Sequence, residues 1–137
     1  MDFEYFIENK KVVKASKDVS KAKALVRISL QNLESVSEIQ LNDKTASIIL
    51  VMGYESLRQV LEAMTLLKGY KVFSHEAYTY YLRYLNEIIA SEKFDRLRKL
   101  RDRINYYGKP VNQEVAENAI KEITVLIKRL RQKYIVL

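Results

Sequence analysis

The sequence predicts an all-α protein, an antiparallel up-down bundle of four to five helices. Three observations carry that prediction. Breakers are scarce: the 137 residues hold 3 Gly and 1 Pro. Apolar residues recur at three- and four-residue steps through long segments, the period of a helix buried on one face. No segment alternates apolar and polar residues for long enough to read as a strand. Long periodic segments joined by short turns pack side by side as a bundle.

Residues 1–15 carry Phe3, Tyr5, Phe6 and Ile7, then Lys10, Lys11 and Lys14. They read as an N-terminal leader or a short helix docked by its aromatics, with the bundle domain proper over 16–137. The first long helix is expected over 16–37. Val19, Ala22, Val26, Leu30 and Leu33 form its apolar stripe, and Lys17, Lys21, Lys23 and Arg27 its polar side. Asn42 or Asp43 caps the second helix, which runs to residue 68. Ile48, Ile49, Val51, Met52, Leu57, Val60, Leu61, Met64 and Leu67 make it the most apolar element, and so the central one. Gly53 in its interior costs about 1 kcal/mol relative to Ala. Its presence there predicts the close approach of another helix, within the chain or across a dimer. Arg58 and Glu62 stand four apart and can pair. If Arg58 instead lies near Arg101, the two cations need an anion between them.

Gly69 ends the second helix and Ser74 caps the third, expected over 74–90. Ala77, Tyr81, Leu85 and Ile88 give it a core stripe. Its tyrosines suit burial of the ring with a wet hydroxyl. Only Tyr80 and Tyr84, beside Arg83, are placed to stack on a base. His75, next to the cap, reads as a first-turn surface residue. A single His builds neither a His-based metal site nor a Ser/His/Asp system. Ser91 caps the fourth helix. In it Leu97, Leu100, Ile104 and Tyr107 fall on an arc suited to burial, and Arg98, Arg101, Asp102, Asn105 and Tyr106 on the opposite, accessible arc. Gly108 stands at the C-cap and Pro110 cannot continue the helix. The last helix starts after Asn112, with Glu114 and Glu117 early and Lys128, Arg129, Arg131 and Lys133 late, as the helix dipole prefers. Its stripe is Ala116, Ala119, Ile120, Ile123, Ile127, Leu130 and Tyr134. The final Ile135-Val136-Leu137 is apolar enough to pack at an interface.

Composition narrows the function. The chain has no Cys, hence no disulfide framework and no thiolate metal site. No run of about 18 apolar residues is present to span a membrane. The acidic start, Met1-Asp2-Phe3-Glu4, is unlike a secretory leader, so a cytoplasmic location is expected. There is no Gly-rich phosphate loop, repeat or low-complexity run. No cofactor and no metal are expected. Net charge is +7 with a pI near 9.5, a balance that favours polyanionic partners.

The densest chemistry is Arg101-Asp102-Arg103-Ile104-Asn105-Tyr106-Tyr107-Gly108. It resembles the signature helix of the HEPN domains, in which an Arg and a polar residue, often Asn, are followed after a short spacer by a His near the helix end. On that pattern Arg101 matches the Arg, Asp102 stands where Asn is common, and Tyr106 takes the His position. Residues 53–63 (Gly53-Tyr54-Glu55-Ser56-Leu57-Arg58-Gln59-Val60-Leu61-Glu62-Ala63) look like the second helix of such domains, and residues 69–76 like the turn that follows. The likeness covers residues 17–135. It implies a small helical bundle that binds RNA or a nucleotide, forming a homodimer with the two signature helices face to face. Arg98 and Arg101 then hold phosphate, Asn105 orients a phosphate or ribose oxygen, and Tyr106 stacks or donates a hydrogen bond, with Arg58 as a further cation. In the ribonucleases of that family the His supports cleavage. With Tyr106 in its place the expectation is binding, by a degenerate ribonuclease or toxin-type component. If the chain is catalytic, Arg101 and Tyr106 are the residues involved, in a metal-independent endoribonuclease. Such domains are also often paired with small nucleotidyltransferases in toxin–antitoxin systems. The alternatives are therefore a non-catalytic partner subunit of a separate nucleotidyltransferase, presenting Tyr106 or Tyr107, and a purely structural homodimer.

Overall fold

The computed structural model describes residues 1–136. Six helices lie among them: α1 (Phe3–Glu8), α2 (Val19–Ser37), α3 (Ala46–Leu67), α4 (His75–Tyr84), α5 (Ile88–Tyr107) and α6 (Gln113–Tyr134). Two short strands, β1 (Val12–Lys14) and β2 (Tyr70–Val72), pair antiparallel with Val12 opposite Val72. The all-α expectation therefore holds at the level of class, with one small ribbon added. Three-residue strands are too short to show a period of two, and their pairing joins distant parts of the chain, so periodicity could not reveal them.

The core forms around α3, which packs against α2, α6 and α5. Leu50, Tyr54, Leu57, Val60, Leu61 and Met64 of α3 are buried. Ile48 and Met52, expected in the same stripe, are exposed. The close approach expected at Gly53 is made by α6 of the same chain: a Cβ there would lie 2.5 Å from Ile120 Cδ1 and 3.2 Å from Ile123 Cδ1. Residues 1–15 supply α1 and β1, whose Phe3, Phe6 and Val12 join the same core. Side chains start two of the long helices. Asp18 accepts from Lys21 N at 3.0 Å at the head of α2, and Asn112 from Val115 N at 2.9 Å at the head of α6. Asn42 Oδ1 accepts from Lys44 N and Thr45 N, just ahead of α3. Leu137 of the C-terminal apolar triplet lies outside the described residues. Among those described, no helix is long and apolar enough to cross a membrane.

The helix expected over 74–90 is two helices. α4 stops at Tyr84, and Asn86 takes the left-handed conformation (φ 62°) that Asn tolerates better than most residues. Glu87 N–H reaches back to Leu82 O at 2.8 Å. The Glu87 side chain, 5% exposed, accepts from Arg129 Nη2 at 2.9 and 3.0 Å. α5 therefore starts before Ser91. Ser91 is buried in its first turn, donating to Ile88 O at 2.7 Å instead of capping. Ile88, expected in the core, is exposed. Towards its other end α5 is less covered: Leu97 is buried, Leu100 and Ile104 are half-buried, and Tyr107, expected inside, is 72% exposed.

Gly69 joins α3 to β2 at φ 82°, and its carbonyl accepts from Ala15 N at 2.8 Å. A Cβ there would stand 2.8 Å from Ala15 O. Gly69→Ala is expected to cost about 1–3 kcal/mol, from the positive φ and the backbone clash together. Gly108→Ala, where φ is 63° but nothing lies within 4 Å, should cost only the conformational share, about 1–2 kcal/mol. Urea midpoints of the two variants measure the difference.

Candidate functional site

The site is built upward from Phe94 of α5, which is fully buried. The Tyr54 ring of α3 stacks on it, centroids 5.5 Å apart and planes 23° apart. Over Tyr54, at 4.8 Å from its centroid, lies the Arg101 guanidinium. Arg101 is 8% exposed, so it is not the accessible residue of the expected polar arc. The reason is tertiary: α3 and the start of α4 close over that side of α5. Arg101 Nη2 meets His75 Nδ1, and Nη1 donates to Asp102 Oδ1 at 2.9 Å and to Tyr106 Oη at 3.4 Å. Tyr54 Oη approaches the same His75 nitrogen at 2.9 Å.

His75 is thus half-buried against Arg101, not a surface residue of the first turn. It stands there because β2, pinned to β1, delivers the chain through Phe73 and Ser74 into the start of α4. A guanidinium can only donate, so Nδ1 is the acceptor and the neutral ring carries its proton on Nε2. Burial and the charges of Arg101 and Arg58 hold the His75 pKa below its ordinary 6.5. Burial likewise pushes the Tyr54 phenol up, against the pull of Arg101.

Ser74, His75, Glu76, Arg98, Arg101, Asp102 and Tyr106 line an open hollow of about 310 Å³. Its fixed charges balance, two arginines against two carboxylates. Arg98 contacts Asp95 at 2.8 Å, Glu76 at 3.5 Å and Asp102 at 3.7 Å. Burial raises the Asp95 pKa, but Arg98, Lys99 and Thr79 outweigh it and hold that carboxyl below its usual value. Tyr106 is 70% exposed at the rim, and exposed Phe73 precedes Ser74 in the chain.

Of the residues singled out in the sequence, Arg98, Arg101, Asp102 and Tyr106 come together here. Asn105 is exposed on α5 but is not part of the lining. Arg58 is not part of it either. Its guanidinium is taken up on α3 by Glu55 at 2.5 Å and by Glu62 at 2.7 Å, the latter being the expected pair. No anion is needed between Arg58 and Arg101, because each has its own carboxylate. Tyr80 sits under Arg83, 4.8 Å from ring centroid to guanidinium carbon, on another part of α4. Sequence reasoning missed His75, Tyr54, Ser74 and Glu76. Tyr54 and residues 74–76 lie on other elements than the Arg101 helix, so no spacing along the sequence marks them as its neighbours.

The histidine arrangement has a pH signature. Since folding lowers the His75 pKa, protons favour the unfolded chain. This contribution to stability is complete above the unfolded value of about 6.5 and is lost as pH falls through the lower folded value. The melting temperature of the wild type should drop more between about pH 7 and 5 than that of His75→Asn, which keeps an acceptor but cannot titrate. No protein-family model matches this sequence, and no curated protein matches it.

Proposed function

We propose that the protein is a HEPN-like module that binds RNA or a nucleotide in the hollow beside Arg101 without cleaving it. The observation that carries this reading is the setting of Arg101. Its guanidinium is seated on the Tyr54 ring and against His75, yet it borders an open hollow together with an exposed tyrosine. A cation held in place by an aromatic face and a neutral imidazole is pre-oriented for a phosphate oxygen. Arg98 and the Nε2–H of His75 add donors. The carboxylates of Glu76 and Asp102 suit the hydroxyls of a ribose or the amino groups of a base. A charge-balanced lining fits one nucleotide unit better than a bare polyphosphate, and the volume is at the small end of ligand sites. The Tyr106 ring offers a stacking face. Cleavage is disfavoured because the lone pair of Nδ1 is occupied and Nε2 holds the proton, leaving the imidazole no free base nitrogen.

A homodimer with two α5 helices facing belongs to the same proposal, since it would set two hollows side by side. A second reading is favoured by the 70% and 72% exposure of Tyr106 and Tyr107 at the end of α5: a non-catalytic subunit presenting a tyrosine to a separate nucleotidyltransferase. The deciding experiment is fluorescence anisotropy with labelled single-stranded RNA over a salt series, with AMP as competitor and the RNA checked on a gel afterwards. Binding that weakens with salt, yields to AMP and leaves the RNA intact is expected. Absence of binding at low salt overturns the proposal. RNA breakdown that His75→Asn abolishes overturns the non-cleaving part.

A further inference from the structure

α2 and α6 both pack on α3 rather than on each other, which leaves an open furrow of about 770 Å³ between them. Its floor is apolar: Val26, Leu30 and Leu33 from α2, Ile127 from α6, and Ile135, which packs beneath both. Lys128 and Arg131 edge the furrow on the α6 side. On α2, Lys23 and Arg27 stand three residues before Val26 and Leu30, on the same helix side. None of these four cations forms an ion pair with a described residue, whereas both arginines of the hollow do. Glu34 is the one acid on that edge of α2.

We propose that this furrow docks an acidic amphipathic helix of a partner protein. A groove between two helices presents side chains and no free strand edge, so the matching shape is a third helix laying down an apolar face. Cations with no ion-pair partner among the described residues, beside an apolar floor, select carboxylates flanking that face. A second copy of this chain fits badly. A two-fold interface centred on the furrow would set it against itself and bring Lys128 and Arg131 close to their own copies. The site shares no residue with the hollow beside Arg101, and the two proposals stand or fall separately.

The probe is a synthetic amphipathic peptide of about 18 residues, leucine at positions i, i+3, i+4 and i+7 and glutamate elsewhere. Its controls are a twin with lysine for every glutamate and a scrambled acidic peptide. The acidic amphipathic peptide should bind alone, with affinity falling as salt rises. Lys128→Glu combined with Arg131→Glu should weaken it tenfold or more, while circular dichroism and melting stay those of the wild type. Equal binding of the lysine twin or the scrambled peptide overturns the proposal. So does absence of binding, or indifference to the charge reversal. Sedimentation supplies the last arm: a wild-type dimer that Leu33→Glu converts to a folded monomer would make the furrow a self-interface and end the proposal.

Discussion

Replacing Phe94 by alanine should cost about 3–5 kcal/mol, the range for emptying a fully buried aromatic site. A domain of this size has only about 5–15 kcal/mol in total, so the variant should approach half-unfolding under mild heating. Each kcal/mol moves the melting temperature by roughly 3–5 °C at this chain length. Phe94 touches two other rings: Tyr54 stacks on it and Tyr78 meets it edge-on at 6.2 Å. The neighbours are large and fixed, so the site cannot collapse to fill the void. Phe94→Leu, which keeps most of the volume, should cost less than about 1.5 kcal/mol. Urea denaturation of both variants measures the difference. The substitution also reaches the site, because the Tyr54 ring that stacks on Phe94 also carries the Arg101 guanidinium. Under conditions where Phe94→Ala is still folded, its RNA affinity should fall although no lining residue has changed. Unaltered affinity would mean that the Tyr54 platform does not depend on the ring beneath it.

Arg101→Ala should abolish most RNA or nucleotide binding, by about 10- to 100-fold. That is the worth of one charge-assisted hydrogen bond at about 1.5–3 kcal/mol. The slope of affinity against salt should shrink by about one phosphate contact. Arg101→Lys separates charge from shape. It keeps a cation, and so most of the salt slope, but lacks the planar fork that reaches Asp102, Tyr106 and His75 together. Its affinity should lie nearer alanine than wild type. Stability should fall by about 1–3 kcal/mol in the alanine variant, since Asp102 and His75 lose a partner in a partly buried place. Wild-type affinity in Arg101→Ala would remove the proposed role of the hollow, while leaving the bundle and the furrow between α2 and α6 as they are.

Much of the bundle was legible because it is written locally. Four long apolar stripes, the helix start after Asn112, the Gly108 stop and the interior glycine each depend on residues within a turn or two. The misreadings have the same origin. Asn86 breaks a helix that periodicity would continue, and the Glu87 that follows it pairs with Arg129 far along the chain. Val12 and Val13 become a strand only because Lys71 and Val72 lie opposite. Tyr107 is out in solvent because the covered side of α5 runs through Phe94, Leu97 and Arg101, round the helix from it, and which side is covered is set by the neighbouring helices.

The candidate site divides in the same way. Sequence alone determined that Arg98, Arg101, Asp102 and Tyr106 share one end of one helix, since spacing along a helix is fixed by its 3.6-residue turn. Only the tertiary structure decided that His75 and Tyr54, from two other helices, complete the surroundings of Arg101, and that Arg58 is spent on Glu55 and Glu62. Three helices meeting at one point is a product of long-range packing. It sets which side of α5 is covered, and so turned an arginine expected in water into one held between an aromatic ring and an imidazole.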